Sequence, residues 1–215
     1  MQPLKKLAYS SQRALTCGLE TADTEDILPF VYARFRAVHD ARVIRLLPNQ
    51  FTLRDAEGLL LAVAGFQTAH GHALFLEHYL DEPVHKAVAR QLQRPVSRAD
   101  IVELGNLAAV GGHTPTLILA MMRYLAASSC RYVVFTLTAQ VRATFRRMGL
   151  PLIALTEASP DRVPQPETWG AYYDKQPLVM VGDIAAGLAA LDANPALAQA
   201  LAAQPTLEGM PCSLS

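Results

Sequence analysis

The stretch Ile101–Thr116, IVELGNLAAVGGHTPT, decides how this chain folds. Ile101 to Val110 has the apolar content and length of a strand. Gly111-Gly112 makes a turn. Thr114 then stands as a helix N-cap with Pro115 at the first helical position. Leu117, Ile118, Met121, Met122 and Leu125 follow at helical spacing. A helix start behind a flexible turn offers unpaired N–H groups and partial positive charge, a setting for an anionic or carbonyl-rich ligand. Glu103 is the anomaly, a carboxylate inside an otherwise apolar strand.

Outward from this unit, helices and strands alternate. Ile27, Val31, Phe35 and Val38 mark one face of a helix. Val43–Leu47 reads as a short strand ended by Pro48. Leu59–Thr68 and Ala73–Leu80 read as two strands, with His70-Gly71-His72 as their hairpin turn. Asp81 and Pro83 open a helix carrying Val84, Val88 and Leu92. Tyr132–Thr138 is β-branched and aromatic, a central strand. Ala139–Met148 is helical, closed by Gly149 and Pro151. Leu152–Leu155 and Leu178–Val181 are late strands. Ile184–Leu191 and Pro195–Ala203 are alanine-rich helices, with a loose tail from Thr206. The expected division is a domain over residues 1–183 and a helical appendage over 184–215.

Composition narrows the function. The 51% hydrophobic content of 215 residues is enough for a full core. Lysine plus arginine equals aspartate plus glutamate, 19 each, which argues against an electrostatic nucleic-acid binder. Cys17, Cys130 and Cys212 are widely spaced and odd in number, the pattern of reduced thiols in a cytoplasmic protein. Lys5-Lys6 is followed by no long apolar run, so an export signal is not expected. Leu59 to Phe66 is the longest apolar run and far too short to span a membrane. His70, His72, His78 and His85 match no zinc spacing, and the expected metal complement is none.

The element order, hairpin strands and then alternating helices and strands, predicts an α/β (α+β mixed) fold with a mixed sheet and helices on both faces. It is also the order of the GNAT acyltransferase superfamily. Ala64-Gly65-Phe66, Leu74 to Asp81, Val102 to Ala108, Phe135 to Thr138, Trp169-Gly170-Ala171-Tyr172-Tyr173 and Pro177 to Gly182 together resemble the thermostable hemolysin family, with a pattern similar to acyl-homoserine-lactone synthases. The resemblance spans about Phe30 to Gly182. It implies a GNAT-like splayed sheet in which Ile101–Val110 runs parallel to Tyr132–Thr138, with an acyl thioester entering between them. The thioester would be a co-substrate, with no tightly bound cofactor.

Under this resemblance the carbonyl and pyrophosphate of the donor meet the backbone of Leu107, Ala108, Val110, Gly111, Gly112 and Thr114, and its pantetheine meets Thr138 and Thr136. The GNAT phosphate loop is replaced here by adjacent glycines, and no arginine or lysine lies from Asn106 to Met122. That leaves room for an acyl carrier protein beside acyl-CoA, with Arg131, Arg142, Arg146 and Arg147 as candidate contacts or as solvated faces. Glu103 is the candidate general base; the alternative is a structural pair with an arginine such as Arg98. Tyr172 or Tyr173 would protonate the leaving thiolate, or pack as aromatics. Glu77 and Tyr79 would share a strand face lining the pocket of a small amine acceptor, or be a surface pair. Asn106, as a contact to substrate or the thioester carbonyl or else as a loop-capping amide, and Trp169 complete the expected substrate contacts. The expected activity is N-acyl transfer. The alternatives are a haemolytic, membrane-active effector, as the family's name says, and an inactive GNAT-like binding module. The alanine-rich C-terminal helices suit packing or a homodimer contact.

Overall fold

The computed structural model describes residues 15–42 and 45–194. Seven strands form one sheet: β1 (Thr16–Thr21), β2 (Asn49–Arg54), β3 (Leu60–Thr68), β4 (Ile101–Ala109), β5 (Tyr132–Leu137), β6 (Leu152–Glu157) and β7 (Leu178–Asp183), in the order β1-β2-β3-β4-β5-β7-β6. All neighbours are antiparallel except β4 and β5, which run parallel. A parallel pair needs a crossover, and α3 (Thr114–Ala126) supplies it. The other helices are α1 (Ile27–His39), α2 (Val84–Leu92), α4 (Ala139–Arg147) and α5 (Ile184–Asp192).

Side chains in the central strands alternate strictly between two cores. Val102, Leu104, Val133, Phe135 and Met180 pack beneath α3, α4 and α5. Ile101, Tyr132, Val134, Val179 and Val181 pack on the opposite face with Val84 and Val88 of α2. On that second face α1 contributes Ile27 and Val31 against Val63 and Ala108. The sheet is therefore covered on both sides, as its near-continuous apolar strands require. Glu103 falls on the α1/α2 side by the same alternation.

Several sequence expectations give way here. Ala73–Leu80 is no strand: Phe75–Tyr79 is a 3₁₀ turn, because Glu77 caps its own turn through the Leu74 N–H at 2.9 Å. His70-Gly71-His72 is thus no hairpin turn. The partner of β3 is β2, which lies just beyond the expected Val43–Leu47 strand; residues 45–47 are a loop, and residues 43–44 lie outside the described residues. β1 was not expected. His113, not Thr114, takes the N-cap place of α3, a one-residue shift. The expected Pro195–Ala203 helix and the tail lie outside the described residues. α5 packs against α3, with Ile184 and Leu191 in the same core as Leu125.

Candidate active site

The pairing of β4 with β5 stops early. It covers Ile101↔Tyr132 to Leu104↔Phe135 and no further. The cause is a β-bulge. Between Val63↔Ala108 and Gly65↔Gly105, β3 advances two residues while β4 uses three. The extra residue bends β4 away from β5. Asn106 takes the left-handed conformation there, φ 52°, which asparagine tolerates better than most residues. Its Oδ1 accepts the Leu47 N–H at 2.8 Å, tying the loop after α1 to the bulge. Gly65 makes the fit possible: a Cβ there would lie 2.8 Å from Asn106 Oδ1 and 3.0 Å from Leu47 Cβ.

The splay opens a cleft of about 630 Å³ that passes through the sheet. On one side it is walled by His39, Phe75, Tyr79, Trp169 and Tyr172; on the other by Ile118, Met121, Val141 and Phe145. Leu104, Gly105, Asn106 and Leu107 of β4 and Phe135, Thr136, Leu137 and Thr138 line the gap itself. The Val110 N–H bonds Leu61 O at 2.9 Å across β3. Strand alternation therefore sends the Leu107 and Ala109 N–H groups to the opposite edge, facing the splay.

Glu103 sits where the pairing ends, 4% exposed and lining the cleft. Its two carboxylate oxygens accept the first N–H groups of the 3₁₀ turn, Phe75 N–H at 2.9 Å and Leu76 N–H at 3.0 Å. Burial pushes its carboxyl up; the two N–H bonds pull it back, Glu77 adds a further rise, and the balance is about 7. A carboxylate with that value exchanges protons near neutrality.

Arg98 is not its partner. Arg98 grips Glu77 instead, with Nη1–Oε1 at 2.6 Å and Nη2–Oε2 at 2.9 Å. Glu77 Oε1 also accepts the Val84 N–H at 2.8 Å, which joins the 3₁₀ turn to α2. Burial raises the Glu77 carboxyl, but Arg98 and the two backbone N–H groups outweigh it and hold it at about 2. Glu77 is thus a structural joint behind Glu103 rather than a cleft residue, which corrects the expected pairing with Tyr79 on a strand face. Because its carboxyl is depressed, its contribution to stability is complete above the ordinary value of 4.5 and is lost as pH falls from there toward 2. Arg98→Ala is expected to cost about 1–3 kcal/mol at pH 7 and progressively less in acid. Thermal unfolding against pH checks this; a loss independent of pH would contradict it.

The aromatic residues form the wall opposite the bulge. The Trp169 ring lies 5.6 Å from Phe75 and 5.3 Å from Tyr172, and His39 meets Tyr172 edge-on at 5.2 Å. Tyr172 donates to Thr136 O at 3.2 Å, and burial raises its hydroxyl. Tyr79 and Tyr173 share a hydrogen bond of 2.9 Å between hydroxyls. Burial raises both, and Tyr173 is not among the cleft-lining residues.

Thr136, Thr138, Asn106, Leu107, Tyr79, Tyr172 and Trp169 all line the same cleft as Glu103. Val110, Gly111 and Gly112, in the turn before α3, and Thr114, its first residue, are not among the cleft-lining residues, and Ala108 is buried under α1. Among the arginines proposed for a carrier surface, Arg142 is engaged by Leu137 O at 2.8 Å and Gln176 O at 2.7 Å, and Arg131 faces Asp183 at 3.7 Å. Sequence reasoning missed His39, Arg42, Arg45, Phe75 and His78 in the cleft. The Gly105-Asn106 pair in a strand was a readable bulge signal; nothing local marked the others.

A parallel pair splayed by a bulge, inside a mixed sheet covered on both faces, defines a GNAT-like fold. The chain belongs to the thermostable hemolysin family, whose model matches residues 18–188. Comparison with curated protein sequences gave no match. Among solved structures, the chain is similar to FeeM, an N-acyl amino acid synthase from uncultured soil microbes, with TM-score 0.56 and 13% identity over 81% of this chain and 92% of that one. BjaI, a CoA-dependent acyl-homoserine lactone synthase with SAM and isopentyl-CoA, gives 0.55 and 14% over 91% and 92%. The AHL synthase LasI gives 0.54 and 13% over 92% and 100%. Among the described residues no helix is long and apolar enough to cross a membrane.

Proposed function

We propose that the chain is an N-acyltransferase, moving an acyl group from an acyl thioester, carried on coenzyme A or an acyl carrier protein, to a small amine. The observation that carries this reading is Glu103, a buried carboxylate poised near neutrality at the point where β4 and β5 part. The acyl-transfer activities in the names of FeeM and BjaI, which share the fold, support it.

In this mechanism the amine nitrogen attacks the thioester carbonyl carbon while Glu103 takes the amine proton. The Leu107 N–H group at the open β4 edge stabilises the oxyanion. The C–S bond then breaks, and the proton held by Glu103 returns to the thiolate. An amide and a free thiol leave. Tyr172 lines the same cleft, but its proton is held by Thr136 O, so its role here is to shape the wall. Tyr173 and Tyr79 brace that wall through their shared bond. Were the donor acyl-CoA, its phosphates would meet backbone N–H groups at Gly111 to Thr114, since that turn has no cation.

The test is amine-dependent release of free thiol from acyl thioesters by the purified protein, with the amide confirmed by mass. Thiol release that ignores the amine, or none across a broad panel, would overturn the proposal. Red-cell lysis by Glu103→Gln protein equal to that of wild type would separate the family's haemolytic phenotype from acyl transfer.

The apolar end of the cleft, Leu104, Ile118, Met121, Phe135 and Phe145, suits the acyl tail. Each methylene removed from water there is worth about 0.8 kcal/mol. Met121→Trp should therefore exclude a few methylenes and lower kcat/KM for an octanoyl donor by roughly 10–100-fold relative to acetyl. An unchanged chain-length profile would move the tail elsewhere.

A further inference from the structure

We infer that the acceptor carries an anionic group beside its amine, a carboxylate as in an amino acid, and that Arg42 and Arg45 hold it; this rests on the acyl-transfer reading above. Among the described residues these two are the only lysines or arginines lining the cleft, and Glu103 is the only acidic one. Neither guanidinium has a hydrogen-bonded or ionic partner among the described residues. Arg54, Arg90, Arg94, Arg98 and Arg162, by contrast, are committed to carboxylates.

The backbone fixes where both stand. The Arg42 N–H bonds Thr168 O at 2.7 Å, beside Trp169 in the aromatic wall. Arg45 O accepts from Asn106 Nδ2 at 3.5 Å, and the next loop residue but one, Leu47, is tied to Asn106 Oδ1. Both arginines therefore lie on the Glu103 face of the sheet, at the mouth of the cleft. Asn106 is three residues beyond Glu103, roughly 10 Å along the strand at about 3.3 Å per residue. An arginine side chain turned inward from there would cover most of that span. The remainder matches the short separation between the amine and carboxylate of one amino acid.

The electrostatics agree. Two unpaired positive charges at the mouth favour an anionic ligand, and a planar guanidinium fork matches a carboxylate. A lone cationic amine would meet repulsion at the same place. The inner end of the cleft, lined by Ile118, Met121 and Phe145, offers an anion nothing. The charge is therefore expected at the mouth and the acyl tail inside.

The experiment compares matched acceptors with one donor, octanoyl-CoA: L-leucine against L-leucinamide, and L-tyrosine against tyramine, read by thiol release and product mass. The amino acids should be favoured by at least roughly tenfold in kcat/KM. The Arg42→Gln/Arg45→Gln protein should raise their KM by roughly 10–100-fold, the size expected for charge-assisted hydrogen bonds, and should lower the KM of leucinamide and tyramine by relieving repulsion, so that the preference for the acids collapses. Arg42→Lys/Arg45→Lys should restore part of the preference, and an unchanged melting temperature should accompany both variants. Equal use of acid and amide, or a preference that survives in the glutamine variant, would overturn the inference while leaving acyl transfer standing. A rise confined to the KM of octanoyl-CoA and absent with octanoyl-pantetheine would assign the pair to donor phosphates and overturn it as well. No thiol release with any acceptor, from octanoyl-CoA or from octanoyl-acyl carrier protein, would overturn both readings.

Discussion

Glu103→Gln should lower turnover by about 10²–10⁴ while leaving the protein folded, the range expected for loss of a general base. Glutamine keeps the size and one accepting oxygen. Its NH₂ group cannot accept, so either the Phe75 or the Leu76 N–H loses its partner. That costs about 1–3 kcal/mol, partly offset above neutral pH because a buried charge is gone. For a chain of this length the net loss amounts to a few degrees in melting temperature. A structural cap alone predicts the small thermal change and no rate change. Unchanged turnover would remove Glu103 from the mechanism.

The pH dependence separates the two roles further. The folded carboxyl sits at about 7, above its ordinary 4.5, so the folded state favours the neutral form. Its stabilising contribution is complete below about 4.5 and is lost as pH rises through about 7. Activity runs the other way, because only the carboxylate accepts a proton. In wild type, kcat/KM should fall below pH about 7 as stability from this group is gained, and the glutamine variant should lack both trends.

The helices and central strands were legible because their signals are local. Ile101–Val110 and Tyr132–Thr138 each bury both faces, so an apolar run of strand length identifies them. The parallel pairing followed from the helix between them. Ala73–Leu80 misled because its short run of apolar and aromatic residues mimics a strand, while Glu77 reaches back to its own Leu74 N–H and closes a turn. The site was half legible for a related reason. Glu103 stands out as a charge in an apolar strand, whereas His39 ends, and Arg42 and Arg45 follow, an ordinary amphipathic helix. Their place in the cleft depends on contacts with Thr168 and Asn106, more than 60 residues away in the case of Asn106 and Arg45, and on the missing Cβ at Gly65. Such long-range fits leave little trace in local composition.

Gly170→Ala should be the most damaging small change in the cleft wall. Gly170 has φ 52° and ψ −131°, a conformation open to glycine and strained for alanine. A Cβ there would run into the His39 carbonyl and the backbone of Asp40, groups at the end of α1 that cannot swing aside as a flexible side chain would. Strain and overlap together should cost about 2–5 kcal/mol, or on the order of 5–15 °C in melting temperature. The damage should also reach the chemistry. The contact that fails holds Tyr172 against His39 and keeps the Arg42 N–H on Thr168 O. Relaxing the overlap means moving the Pro166–Lys175 segment off α1, which widens the acceptor side of the cleft and leaves the β4 bulge and Glu103 in place. The expected kinetic signature is a raised KM for the amine with a smaller change in the KM of the thioester, measured below the variant's melting range. Wild-type melting and an unchanged amine KM would show that the wall does not depend on this close approach.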